Sequence, residues 1–354
     1  MQTIRCAVAA LGIVGALAVG GCHHEVEVPP LPEQKISLLG DRFFDVKAFS
    51  ADHALIAGYN GKILETTDAG RTWNVIPTPT DRALYNIRFA DPQTGWICGQ
   101  AGVILHTKDG GKTWVEQQSN TDQYIFAIYT LSPTHVYAVG DKSTLLETTD
   151  GGANWNVRKV AQDKEGISDD IALAVQDPIF YDIEFADEQH GWIVGEFGTI
   201  HATADAGRTW SPQQESLLGE GIVDILDLPT FFGVHFVNAQ EGIAAGLEGK
   251  IAHTKDGGAH WSFDTIDEKI AVEDPLYAPF LFPDGKAWVV GAGGEVLTKE
   301  PNQAGWQRAK LGMRLFTWLR GVDFFDHDNG WIVGGFGTIL KTKDGGKTWT
   351  PSLA

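Results

Sequence analysis

Cysteine, basic charge and long apolar runs are all scarce in this chain, and each shortage excludes a class of protein. Only 3 of 354 residues are cysteine. Cys6 and Cys22 fall in the N-terminal leader, so Cys98 alone remains and no disulfide framework supports the fold. Cys98 sits in Trp96-Ile97-Cys98-Gly99, where other repeats carry Val194 or Val333, and reads as a small buried hydrophobe. Lys and Arg total 27 against 46 Asp and Glu, a formal charge of -19. Nucleic acid is thereby excluded as a partner, since phosphate binding needs a basic face. The apolar run Cys6 to Gly20 has the length of a signal-peptide core and is too short for a membrane span. Phosphate-loop, HExxH and GxSxG contexts are missing. His106 and His253 share a repeat position but belong to distant units, so no metal site and no cofactor is expected.

The leader has a positive start at Arg5 and ends Val19-Gly20-Gly21-Cys22, similar to a bacterial lipobox. Residues 1–21 are expected to be a lipoprotein signal peptide, with Cys22 the diacylated new N-terminus. Several acyl chains anchor stably where one does not. His23 in place of Asp after Cys22 resembles outer-membrane sorting, so the expected location is an exported lipoprotein on the periplasmic side. Residues 22–35, with Pro29, Pro30 and Pro32, read as an extended tether.

What the chain has in abundance is a repeat. Six copies of Thr-x-Asp-x-Gly-x-x-Trp pair Asp68 with Trp73, Asp109 with Trp114, Asp150 with Trp155, Asp205 with Trp210, Asp256 with Trp261 and Asp344 with Trp349. A seventh, worn copy ends at Trp306, with Lys299-Glu300-Pro301-Asn302 in place of the Asp turn. Gly58, Gly99, Gly140, Gly195, Gly246, Gly291 and Gly334 each stand 15 residues before their Trp. A repeat of about 40 to 50 residues signals a stacked or circular architecture. In the unit from Ala83, Tyr85, Ile87 and Phe89 alternate with polar residues as in a half-buried strand. Trp96 to Cys98, Val103 to Thr107 and Thr113 to Gln117 supply three more strands. The expected fold is therefore all-β, a seven-bladed β-propeller of four-stranded antiparallel blades over residues 36–354.

The box itself is a folding device. The Asp carboxylate accepts backbone N–H groups within its turn, the glycines supply positive φ, and the Trp fills the wedge beside a neighbouring blade. A second series, Leu55, Trp96, Tyr137, Trp192, Ile243, Trp288 and Trp331, marks the second strands.

Length variation is confined to the connection from each Trp to the next first-strand anchor, taken as Phe49, Phe89, Leu131, Phe185, Phe236, Phe282 and Phe324. Those gaps run 16, 17, 30, 26, 21 and 18 residues. Strand alternation puts these connections on the face opposite the Asp turns. The three long ones, Asn156 to Tyr181, Ser211 to Phe231 and Ser262 to Phe280, hold 14 acidic and 4 basic residues with apolar runs. Asp169, Asp170, Asp177, Asp227 and Asp274 lie in them. Mixed acidic and apolar loops on one rim suggest a protein-docking face. Arg42 and Arg82, each seven residues before its anchor, together with Arg314 and Arg320 before the last blade's first strand, are the candidate cations of that face. Tyr59, Asn60, Glu196, Phe197 and Phe336, in the short loops after the blade glycines, complete the candidate set.

Asp-boxes also occur in sialidases, so a glycan-binding or sialidase-like glycoside hydrolase propeller is the rival reading. The Arg-Ile-Pro start and a Tyr–Glu pair are missing, and a shared fold does not transfer function.

Phe-x-Asp-x-x-x-Gly-Trp-Ile-Val-Gly-x-x-Gly-x-Ile followed by Thr-x-Asp-x-Gly-x-x-Trp, clearest from Asp187 to Trp210 and from Asp326 to Trp349, resembles the Ycf48-like family. The resemblance spans about Ile36 to Ser352. It implies a non-enzymatic seven-bladed scaffold, here monomeric, that assists assembly or stability of a membrane protein complex of the cell envelope. In photosynthetic members the client is photosystem II; elsewhere it is another envelope complex. Photosynthetic members use an arginine patch, for which Arg42, Arg82, Arg314 and Arg320 are the counterparts the resemblance implies.

Overall fold

The computed structural model describes residues 40–160, 177–218, 222, 224–267 and 270–352. Cys22, Asp169 and Asp170 lie outside them. Seven antiparallel sheets follow one another along the chain, each made of four consecutive strands in sequence order. Blade 2 is typical: Leu84–Phe89, Gly95–Gly99, Ile104–Thr107 and Val115–Gln117. The first strands of blades 1 to 7 are Phe43–Ala48, Leu84–Phe89, Ile125–Thr130, Phe180–Phe185, Phe231–Phe236, Leu276–Leu281 and Leu319–Phe324. Each touches the first strands of both neighbouring blades, blade 7 meeting blade 1, so they form an inner ring around a channel. Blade 6 keeps all four strands without an Asp turn; its Glu300–Gln303 turn places Asn302 at φ 62.

The Asp turns have one construction. In blade 1 the Thr66 hydroxyl donates to Asp68 and accepts from Gly70 N–H, while Asp68 accepts from both the amide and hydroxyl of Thr72. These bonds, the Thr72 hydroxyl first, hold the Asp68 carboxyl down at about 2. Each box Trp then enters the wedge toward the preceding blade. Trp73 meets Trp331 edge-on at 5.5 Å, Trp349 meets Trp288 at 5.6 Å, and Trp155 shares a core cluster with Trp96. The second-strand series and the box Trp series are thus two halves of one inter-blade contact. Burying one such indole contributes several kcal/mol, of the order lost in a Trp→Ala change (about 3–5 kcal/mol).

A compensation explains the anchor positions. Where the first strand ends in Phe, the residue paired with it is Gly: Phe89 with Gly95, Phe185 with Gly191, Phe236 with Gly242 and Phe324 with Gly330. A Cβ at Gly95 would lie 2.6 Å from the Phe89 ring. Where the strand ends in a smaller or aliphatic residue the partner has a side chain: Ala48 with Ala54, Thr130 with Val136, Leu281 with Ala287. Phe49, Leu131 and Phe282 stand one residue beyond their strands. Aligning on them shifts three blades by one position. The strand ends themselves, from Ala48 to Phe324, all lie 10 residues before the blade glycine. One consequence is that Arg42 corresponds to Ala83 and not to Arg82; the carbonyls of Arg42 and Ala83 each accept the amide that follows their blade glycine.

Blade 7 closes on blade 1 without exchanging a strand. Asp323 Oδ2 accepts from Ala48 N–H at 2.8 Å and Lys47 Nζ at 3.0 Å. Gly337 N–H donates to the Asp41 carbonyl, and Ser352 bridges Trp73 Nε1 and the Gly70 carbonyl.

Candidate functional site

Every first strand carries an irregularity at the same place. In each blade the register shifts between its first and third residues, leaving the second unpaired. A bulge of this kind re-aims the side chain that it carries. The seven re-aimed residues are Phe44, Tyr85, Phe126, Tyr181, Phe232, Tyr277 and Arg320, and all seven line the channel. They form a collar in which each ring touches the next, with centroids 5.1, 5.5, 5.3, 5.0 and 5.3 Å apart from Phe44 to Tyr277. Arg320 completes the circle, its guanidinium 4.8 Å from the Tyr277 centroid, and Trp318 stacks on Phe44 at 5.5 Å. Such cation–π and edge contacts are each worth about 1 kcal/mol. The cavity they head has a volume of about 290 Å³. Tyr85 does not share a face with Ile87, contrary to simple alternation: Ile87 is buried between blades, and the bulge turns Tyr85 inward.

Below the collar the channel is charged. Asp45 accepts from Asn86 Nδ2, Ile87 N–H and Arg88 Nη1 at 2.7, 3.0 and 2.8 Å. Asn86 in turn accepts from Ile128 N–H, and Asp182 from Val234 N–H. Each polar side chain clasps the backbone of an adjoining first strand, which satisfies groups that burial would otherwise leave unpaired. Arg88 is the charge that holds these acids together, with Asp45, Glu184, Asp182 and Asp323 around it. Burial nevertheless pushes Glu184 up to about 8 and Asp182 up to about 6. Glu184 therefore holds its proton well above the usual carboxylate range.

A pH dependence follows. Glu184 binds its proton more tightly folded than unfolded, so its contribution to stability falls as pH rises from about 4.5 to about 8. The Asp turns act oppositely, losing their contribution as pH falls from about 4 toward about 2. The imidazoles of His106, His201 and His235, each held down to about 4 by burial, lose their contribution as pH falls from about 6.5 to about 4, and the three outnumber Glu184 and Asp182 in that window. Thermal melts are therefore expected to peak near pH 6 to 7 (roughly, from these windows). Glu184→Gln is expected to steepen the rise between pH 5 and 6.5 by removing the opposing titration; an unchanged slope would place that titration elsewhere.

The residues proposed from sequence are spread around the rim on the face of the long connections. Arg42 lies over the Tyr59 ring at 5.4 Å. Arg82 pairs with Glu116 at 3.2 Å, and Arg314 is exposed. Arg42 and Arg82 are each engaged with a local partner rather than with one another. Arg320 lies within the last blade's first strand and not before it, and reaches the channel. Asn60, Phe197 and Phe336 occupy left-handed backbone at φ 56, 54 and 54. Glu196 braces its own turn by accepting from Ile179 N–H at 2.9 Å. Asp177 has φ 53, and Asp227 and Asp274 are exposed.

Among the described residues, most apolar side chains of the connections pack against the blades. Leu217 and Leu228 are buried in the core that holds Trp192 and Trp261, with Ile222 and Ile225 packed against it. Ile266 bridges to Trp306, and Ile270 and Val272 cover the next wedge. Phe231 and Leu276 onward are first strands. The two most exposed aromatics sit elsewhere, at the junction of blades 7 and 1. Phe316 is 81% exposed and Phe336 63%, beside Tyr59 and the Arg42–Gly335 bridge.

The family described as photosynthesis system II assembly factor YCF48 matches residues 32–122, 113–172 and 166–271. The chain belongs to this family. A Ycf48 family relative, the photosystem II assembly protein Ycf48 of Synechococcus sp. (strain JA-3-3Ab), is 28% identical over 166 residues, 44% of each chain. The chain thus spans less than half the length of that curated relative. A solved Ycf48 family structure, YCF48 bound to D1 peptide, is 19% identical with a TM-score of 0.66, covering 89% of this chain and 96% of that one. The GH74 xyloglucanase from Xanthomonas campestris is 12% identical with a TM-score of 0.67, covering 90% of this chain and 55% of that one. At those identities both structures speak for the propeller fold alone.

Proposed function

We propose that this Ycf48 family member is a non-enzymatic, lipid-anchored scaffold that docks a membrane protein client during its assembly or maintenance. Anchorage through Cys22 puts it on the periplasmic side of the envelope, His23 favouring the outer membrane. The observation that carries the docking reading is Phe336. A bulky residue at positive φ is strained by about 1 kcal/mol, and Phe336 is also largely exposed. The same turn is left-handed in other blades, at Asn60, Ala101, Phe197 and Glu248, so the turn sets the backbone, and what distinguishes Phe336 is a large ring held out to solvent there. Phe316, Tyr59 and Arg42 beside it supply the aromatic and guanidinium anchors that protein interfaces favour. The relatives' role in photosystem II assembly, and the D1 peptide held by one of them, support a membrane protein as the client class. The channel carboxylates do not favour a glycosidase, since Asp45, Asp182 and Asp323 are tied to backbone N–H groups.

The test is crosslinking and pull-down from detergent-solubilised membranes with the lipidated protein. Phe316→Ser with Phe336→Ser, and separately Arg42→Glu with Arg82→Glu, are expected to cut client recovery at least about tenfold at unchanged melting temperature. If both pairs recover the wild-type set of membrane proteins, the docking face is misplaced; turnover in a glycoside screen would favour the hydrolase reading instead.

A further inference from the structure

We propose that the collar binds the free carboxyl terminus of a polypeptide whose last residue is apolar. Arg320 is the one collar position that is not aromatic, and among the described residues no carboxylate lies within ion-pair distance of its guanidinium. Its neighbours are the rings of Tyr277, Tyr181 and Tyr85. A half-buried guanidinium with rings and no acid beside it, in a chain of net charge -19, suits an anion, because burying a cation unpaired is costly. The fork of Arg matches a carboxylate in bidentate geometry.

The walls define the rest of the ligand. Six rings, Phe44 to Tyr277, present apolar faces, so the group beside the carboxylate is aliphatic or aromatic. The floor beneath carries Asp45, Asp182 and Asp323 against Arg88 and Lys47. With the excess acidic there and only one guanidinium above it, a phosphate dianion is disfavoured and a monoanion fits. The aromatic surface also continues outward: Tyr124 lies 6.4 Å from Tyr85 and 6.3 Å from Phe126, and Trp318 stacks on Phe44. A small acid uses only the collar, whereas a chain end seated there leaves along this outer aromatic path. That continuity favours a polypeptide terminus.

This site deepens the docking reading and is tested apart from it, with purified protein and synthetic peptide. An acetylated hexapeptide ending in Ala-Leu is compared, by calorimetry, with its C-terminal amide and with 3-phenylpropionate. The free acid is expected to bind at least about tenfold tighter than the amide. Arg320→Met should abolish that difference and Arg320→Lys restore part of it, both at wild-type melting temperature. Equal binding of acid and amide, or no binding of the acid, overturns the proposal. Binding of 3-phenylpropionate as tight as the peptide's overturns the chain-end assignment. Loss of peptide binding with client capture intact removes the collar site alone; loss of client capture in the rim variants with peptide binding intact removes the docking face alone.

Discussion

Gly140→Ala should destabilise the propeller by about 3 kcal/mol or more, lowering its melting temperature by roughly 6 °C. Gly140 ends the second strand of blade 3, and an added Cβ would lie 1.9 Å from the Tyr124 carbonyl oxygen and 3.0 Å from the Ile125 Cα. Backbone, not a flexible side chain, is in the way. The same carbonyl accepts from Asp141 N–H at 2.9 Å, so moving it also breaks the turn toward the third strand. Every blade glycine from Gly58 to Gly334 meets the carbonyl of the residue just before its first strand in this way, which is why the ruler of glycines has no exception. Gly40→Ala is the control: nothing lies within 4 Å of its Cβ, and a change within about 0.5 kcal/mol is expected. Urea melts of the two variants check this, and a Gly140→Ala protein as stable as Gly40→Ala would mean that the inner ring relaxes freely.

Arg88→Met should cost about 3–5 kcal/mol, the loss expected when one partner of a buried ion pair is removed. Arg88 Nη1 is 2.8 Å from Asp45 Oδ2, and Glu184, Asp182 and Asp323 also face it. Lys47, bound to Asp323, is the other cation among the channel-lining residues below the collar. The sign with pH is fixed by linkage. Without Arg88 the acids are harder to ionise when folded, so the folded state takes up protons that the unfolded chain does not. The deficit should therefore shrink as pH falls from 7.5 to 5, and Asp45→Asn added to Arg88→Met should recover part of it. A deficit identical at both pH values would mean that Arg88 acts by packing rather than by charge.

How much of this was readable in advance differs between the two faces of the blade. The glycine-to-Trp spacing and the Thr-x-Asp-x-Gly-x-x-Trp turn are local, since Thr66, Asp68, Gly70 and Thr72 satisfy one another within seven residues. Such chemistry is written wherever the motif is written. The collar was hidden because its residues are related by the ring and not by the chain. Anchoring on Phe49, Leu131 and Phe282 slid three blades by one residue and set Asp45, Ala127 and Ala278 in the column where Tyr85 stands. Aligned on the bulge, the column reads Phe, Tyr, Phe, Tyr, Phe, Tyr, Arg, a signal available only once the unpaired second residue is known. The connections misled for a related reason: whether Leu217, Leu228 or Ile266 faces solvent depends on the wedge beneath it.

The sequence by itself therefore determined the seven blades, their order and their Asp turns, because each is stabilised by residues close in the chain and repeated at a constant interval. Tertiary structure decided which side chains meet: the collar around the channel, the lone Arg320 that closes it, the acids gathered on Arg88, and the exposed Phe316 and Phe336 at the seam. Those contacts join residues as distant as Lys47 and Asp323, 276 positions apart, and only closing the ring brings them together.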